Sequence, residues 1–187
     1  MNNNLTLANK ITLLRLFIVP AFAYCILYGL EGYALICFSS ASIADGMDGF
    51  LARKRNEITS LGSLLDPIAD KILMVTSFLL LSYLKYIPVW LSILVIGRDF
   101  ILVFGYIILR IIINSNKIKP SFLGKTTTVL QMSTIIIVLL ISFLSEVQSF
   151  ESLQILFLAT GILTIVSGIH YLLLVGLRLI KNNVVKI

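Results

Sequence analysis

Charged residues are scarce in this chain: only 13% of its 187 residues are Asp, Glu, Lys or Arg, against roughly 25% in a soluble domain. With 58% hydrophobic residues, water cannot be the main solvent of such a surface. Histidine occurs once and cysteine twice. Cys25 and Cys37 fall inside apolar stretches without CxxC or Cys/His ligand spacing, so both read as packing residues. A lone His170 without a carboxylate neighbour is a poor catalyst; with Tyr171 it is expected to pack or bond within the protein. The basic excess of +6 comes without a basic stripe interleaved with aromatics, which argues against nucleic acid as a partner. The first ten residues lack the pattern of a signal or transit peptide, so the first apolar stretch is expected to remain in the mature protein. Low-complexity linkers and internal repeats are missing too, which makes an inverted-repeat transporter less attractive.

What the chain has in quantity is apolar sequence. Stretches at about 11–30, 33–52, 64–84, 88–112, 126–145 and 154–178 each suit a spanning helix, which needs roughly 20 apolar residues. The expected fold is therefore an all-α membrane protein, a six-helix bundle forming one domain over 1–187. Pro88 and Pro120 mark breaks, whereas Pro20 lies within the first stretch and is expected to kink it. The cations sort by side: Lys10 and Arg15, then Arg53 to Arg55, then Arg110 to Lys125, then Arg178 to Lys186. The opposite turns hold Lys85 as their one cation, beside Glu31, Glu146 and Glu151. The positive-inside rule then places both termini and the two basic turns in the cytoplasm, with a bacterial inner membrane as the expected location.

Four aspartates gather where the second stretch ends and the third begins. Asp45 and Asp48 are i, i+3 neighbours and Asp66 and Asp70 are i, i+4 neighbours, so each pair shares a helical face. The short connection makes the two helices antiparallel and sets both pairs at one cytoplasmic depth. An aspartate deep in a bilayer costs roughly 2.5–3.5 kcal/mol, and like charges repel besides. Too few cations lie nearby to offset four, and divalent metal is the natural compensation. An all-oxygen, histidine-free set suits Mg²⁺, Mn²⁺ or Ca²⁺; interhelical salt bridges or a proton path are the alternative. Gly46, Gly49 and Gly62 bracket the carboxylates, either for close approach of a ligand or for tight helix packing. Arg53 at the rim fits a phosphate clamp or an orientation signal.

Together these residues spell Asp45-x2-Asp48-Gly49-x2-Ala52-Arg53-x8-Gly62-x3-Asp66-x3-Asp70. This resembles the complete signature of the CDP-alcohol phosphotransferases, with all eight fixed positions at the family's spacing, and Asn9-x2-Thr12-x2-Arg15 resembles that family's N-terminal element. The resemblance implies an enzyme of six spans, active on the cytoplasmic side, with two Mg²⁺ or Mn²⁺ ions and a CDP-linked donor. It assigns Asp45, Asp48 and Asp66 as metal ligands and Asp70 as ligand and general base. Gly49, Ala52 and Gly62 would leave room for cytidine and ribose, and Arg53 with Thr12 would hold the donor phosphates. Homodimers are common in the family.

The acceptor is less sharply marked. The family's phosphatidylglycerophosphate synthases usually carry glutamate after the Arg98-type residue and an arginine eight positions beyond it, where this chain has Asp99 and Tyr106. Those segments look more like the eukaryotic-type cardiolipin synthases, which gives a slight lean to phosphatidylglycerol over glycerol 3-phosphate as acceptor of the phosphatidyl group of CDP-diacylglycerol. Arg98, Arg110 and Lys125 are the candidate acceptor-binding residues; for Arg98 and Asp99 a structural ion pair is the other reading. A metal or proton-coupled transporter is the rival class, but it would spread charge at mid-membrane depth over several helices.

Overall fold

The computed structural model describes residues 7–55, 62–113, 122–144 and 150–184, and the side chains of 17–44, 71–105, 122–144 and 152–176. Everything described is helix or turn. Six α-helices follow in order: α1 Leu7–Leu27, α2 Glu31–Arg55, α3 Gly62–Tyr83, α4 Val89–Ile113, α5 Phe122–Leu144 and α6 Gln154–Val184, the last entered through a 3-10 turn, Phe150–Leu153. Each of the six expected stretches is one helix. Helix α1 runs through Pro20 without a break.

Backbone chemistry sets the two described turns. At the end of α1, Gly29 adopts φ +70°, Leu30 N–H donates to Cys25 O at 2.8 Å, and Gly29 N–H donates to Ile26 O at 3.3 Å. This left-handed cap satisfies carbonyls that a helix end otherwise leaves open. The end of α3 repeats the device with Lys85 at φ 62°, where Tyr86 N–H donates to Leu81 O at 2.8 Å and Lys85 N–H to Ser82 O at 3.0 Å. A side chain there bears the steric cost that glycine avoids. Pro88 ends that turn, and its carbonyl accepts from Leu91 and Ser92 as α4 begins.

The chain divides into two compact units, residues 1–86 with 135–149 and residues 87–134 with 150–187. In the first, α1 packs on both α2 and α3. Phe22 of α1 meets Phe38 of α2 with ring centroids 6.0 Å apart, and Ala34, Phe38 and Ala41 bury one face of α2 at i, i+4, i+7 spacing. Tyr86 Oη donates to Glu31 Oε1 at 3.2 Å, so the end of α3 lies beside the start of α2. Gly32 of α2 receives the ring of Phe143 from α5.

In the second unit α4 packs on α6. The register runs parallel: Trp90 seats on Gly161, Arg98 lies against Gly168, and Tyr171 seats on Gly105 while its Oη donates to Leu102 O at 3.1 Å. A methyl at Gly161 would come within 2.6 Å of the Trp90 ring. Gly161→Ala is therefore expected to lower stability by about 1–3 kcal/mol through overpacking, read as a fall in unfolding temperature in detergent. An unchanged value would mean that Trp90 swings aside freely.

Polarity in this unit is turned inside out. Thr127, Gln131, Thr134, Thr160, Thr164 and Ser167 are buried, whereas Ile155, Ile162, Ile169 and Leu173 of α6 and Phe100 and Phe104 of α4 are exposed. That arrangement suits an apolar solvent, in which interhelical polar bonds hold helices together and alkyl side chains face lipid. Among the described residues two helical segments, Phe122–Leu144 and Gln154–Gly176, are long and apolar enough to cross a membrane; Phe17–Leu27 and Lys71–Tyr83 are shorter apolar stretches.

Candidate functional site

Helix α2 continues through Asp45, Asp48, Gly49, Ala52 and Arg53, and α3 through Gly62, Asp66 and Asp70, so both aspartate pairs stand at helical spacing. Their side chains lie outside the described ones, as do those of Thr12 on α1 and Arg110 on α4. Among the described residues no three His, Cys, Asp or Glu side chains come together, and the four aspartates are not among them. As a donor set they are all carboxylate, carried on two helices that both pack on α1. That chemistry fits a hard divalent cation and not zinc or copper.

Among the candidate acceptor-binding residues and the neighbouring Asp99, the geometry is explicit for Arg98, Asp99 and Lys125. Arg98 is 5% exposed and Asp99 3%. Arg98 Nη1 donates to Asp99 Oδ1 at 2.8 Å, and Nη2 donates to Ser167 Oγ at 3.2 Å and, at a longer 3.4 Å, to Gly124 O. Arg98 Nε has no partner among the described residues. The guanidinium thus joins α4 to α5 and α6. Lys125, one residue past Gly124 in the first turn of α5, is exposed.

The carbonyls of that turn are heavily subscribed. Leu123 O accepts from Thr126 and Thr127 hydroxyls at 3.0 and 2.7 Å, and Gly124 O accepts from Thr128 Oγ1 at 3.0 Å. From there a buried polar ladder continues between α5 and α6. Thr127 Oγ1 reaches Leu163 O at 3.3 Å, Gln131 Nε2 donates to Thr164 Oγ1 at 3.0 Å, and the Thr134 and Thr160 hydroxyls share a 2.8 Å bond. Sequence reasoning passed over Ser167 and this ladder, although Thr127, Gln131, Thr134 and Thr160, Thr164, Ser167 repeat small polar residues at i, i+4, i+7 in apolar helices. Tyr171 bonds within its unit as expected, His170 is half-buried, and Cys25 and Cys37 are half-buried free thiols.

Comparison with known proteins bears on the same residues. The family model described as CDP-alcohol phosphatidyltransferase matches residues 5–173. The chain is 34% identical over 173 residues to the "Probable phosphatidylglycerophosphate synthase" of Mycobacterium tuberculosis (strain ATCC 25618 / H37Rv), covering 88% of this chain and 79% of that protein. It is 31% identical over 182 residues to the "CDP-diacylglycerol--glycerol-3-phosphate 3-phosphatidyltransferase" of Bacillus subtilis (strain 168), covering 88% and 92%. To the "Cardiolipin synthase (CMP-forming)" of Rattus norvegicus it is 30% identical over 185 residues, covering 90% of this chain and 61% of that protein. A match that takes in the aspartate pairs of α2 and α3 and nearly all of the six helices makes this chain a member of the CDP-alcohol phosphatidyltransferase family.

Proposed function

We propose that the protein is a six-span, single-domain enzyme that moves the phosphatidyl group of CDP-diacylglycerol to a glycerol-type alcohol with release of CMP, and that phosphatidylglycerol is its preferred acceptor. The observation that carries the reaction is the register of the two acidic helices. Glu31 at the start of α2 and Tyr86 just past α3 are hydrogen-bonded, which gives both helices a common origin. Counted from there at 1.5 Å per residue, Asp45 and Asp48 fall about 21 and 26 Å along α2, and Asp70 and Asp66 about 20 and 26 Å back from Tyr83 along α3. Equal depth is what a shared four-carboxylate site requires. The positive-inside rule, applied to Arg53, Lys54 and Arg55, favours the cytoplasmic side for that depth.

In this reading Asp45, Asp48, Asp66 and Asp70 hold two Mg²⁺ or Mn²⁺ ions, which when bound would offset the pyrophosphate's charge. Gly49, Ala52 and Gly62 leave room for the nucleoside, and Arg53 and Thr12 bind the donor phosphates. Asp70 takes the proton of the acceptor hydroxyl as its oxygen forms a bond to the phosphatidyl phosphorus. The phosphorus–oxygen bond to CMP breaks, and CMP leaves with the electron pair. Lys125 and Arg110 meet the acceptor's phosphate.

The acceptor follows from a shortage of cations. Glycerol 3-phosphate carries a phosphate monoester of nearly two charges, phosphatidylglycerol a diester of one. Tyr106 stands where an arginine would serve the monoester, and both Nη atoms of Arg98 are engaged by internal partners. One missing charge-assisted hydrogen bond is worth roughly 1.5–3 kcal/mol, a preference of about tenfold or more. Given both acceptors at equal concentration, purified protein is expected to form cardiolipin about tenfold faster than phosphatidylglycerophosphate, with products weighed by mass. Phosphatidylglycerophosphate as the main product would overturn the acceptor assignment, and no CMP release with either would overturn the reaction.

A further inference from the structure

We infer that Arg98 is a positioning residue: from inside α4, α5 and α6 it holds the first turn of α5, and so sets where Lys125 presents its ammonium. The inference rests on the reading above that Lys125 meets the acceptor's phosphate. An arginine that binds a phosphate itself turns its two terminal nitrogens toward the ligand as a fork. Here the fork is turned inward, with Nη1 on Asp99 and Nη2 on Ser167 and Gly124 O, and the residue is 5% exposed.

What Arg98 holds is the carbonyl immediately before Lys125. Gly124 O already accepts from Thr128 Oγ1, and the neighbouring Leu123 O from two more threonines, so hydroxyls brace two successive carbonyls of the turn. Thr127 Oγ1 ties this turn to Leu163 O of α6, and Arg98 ties it to α4: its stem lies against Gly168, and Ser167 fixes the same Nη2 from α6. The first turn of a helix has fewer internal hydrogen bonds than its middle, so bonds to other elements bear on how firmly it is held. Lys125, exposed on that turn, inherits the order of its backbone without touching Arg98 in the bonds described. Asp99 keeps the buried guanidinium compensated.

Three variants and two readouts test this. Ser167→Ala removes one bond to Nη2 from a buried position and is expected to raise the acceptor KM about threefold with the KM for CDP-diacylglycerol unchanged. Arg98→Gln should raise the acceptor KM on the order of tenfold and speed amide hydrogen exchange at Thr126 to Thr128. Arg98→Gln combined with Asp99→Asn removes both charges and so relieves the uncompensated carboxylate, but it does not restore the bond to Gly124 O; thermal stability should return while the acceptor KM stays raised. A pair variant whose acceptor KM returned together with its stability would overturn the inference, because the lost bond to the turn would then not matter to the acceptor. Unchanged exchange at Thr126 to Thr128 in both Ser167→Ala and Arg98→Gln would overturn it too, and this readout needs no turnover. CMP release by the unmodified protein reports on the phosphatidyl-transfer reading separately.

Discussion

Asp70→Asn is expected to lower the rate of CMP release by on the order of 10²- to 10⁴-fold, the range that a positioned general base contributes. Asparagine keeps the volume of Asp70 and one carbonyl oxygen, so the change removes proton acceptance while sparing most of the packing of α3. The protein should remain folded and still gain thermal stability on addition of Mg²⁺ or Mn²⁺ through Asp45, Asp48 and Asp66. The loss should appear in kcat as well as kcat/KM, because the proton moves in the transition state and not in substrate binding. An Asp70→Asn enzyme that keeps more than about a tenth of the wild-type rate is too active to have lost its base, and would take Asp70 out of that role.

The reach of sequence reasoning differs from helix to helix. Six apolar stretches became six helices because a backbone surrounded by apolar side chains satisfies its own polar groups most simply as helix. The bounds shift where hydropathy and hydrogen bonding part company. Helix α5 begins at Phe122, ahead of the expected 126, because Lys125 interrupts the apolar run but not the backbone ladder. Helix α6 likewise continues to Val184 beyond the expected 178, through Lys181 and two asparagines. Hydropathy reports the solvent, whereas the helix ends only where its hydrogen bonds do. Lys85 shows the limit from the other side: as a cation it is an orientation marker, but nothing in its type announces the left-handed cap it forms.

The candidate site divides in the same way. Asp45, Asp48, Asp66 and Asp70 announce themselves because spacing within a helix is local information. The partners of Arg98 do not, since Gly124 and Ser167 lie 26 and 69 residues away and nothing in a serine or a glycine marks it as a guanidinium's neighbour. The two readings of Arg98 available from sequence, acceptor binding and a structural ion pair, differ only in which way the fork points. That is a tertiary fact.

Metal removal carries the other large effect. In the proposed site the four carboxylates of α2 and α3 would repel one another, and a hard divalent cation bound there would relieve that repulsion in the folded state only. Two results are therefore linked. Excess chelator should reduce CMP release to the background rate, with Mg²⁺ or Mn²⁺ restoring it. The same titration without substrate should raise thermal stability, since a ligand held only by the native state contributes about 2.7 kcal/mol at a concentration 100 times its Kd. For a chain of this size that corresponds to roughly 5–10 °C in Tm. Asp45→Asn or Asp66→Asn should shrink the Tm gain as well as the rate, because each removes a ligand's charge, whereas Asp70→Asn should spare more of the gain than of the rate. Full activity in excess chelator would rule out a metal site at these aspartates. A Tm gain that survives in Asp45→Asn and Asp66→Asn would place the cation elsewhere on the protein.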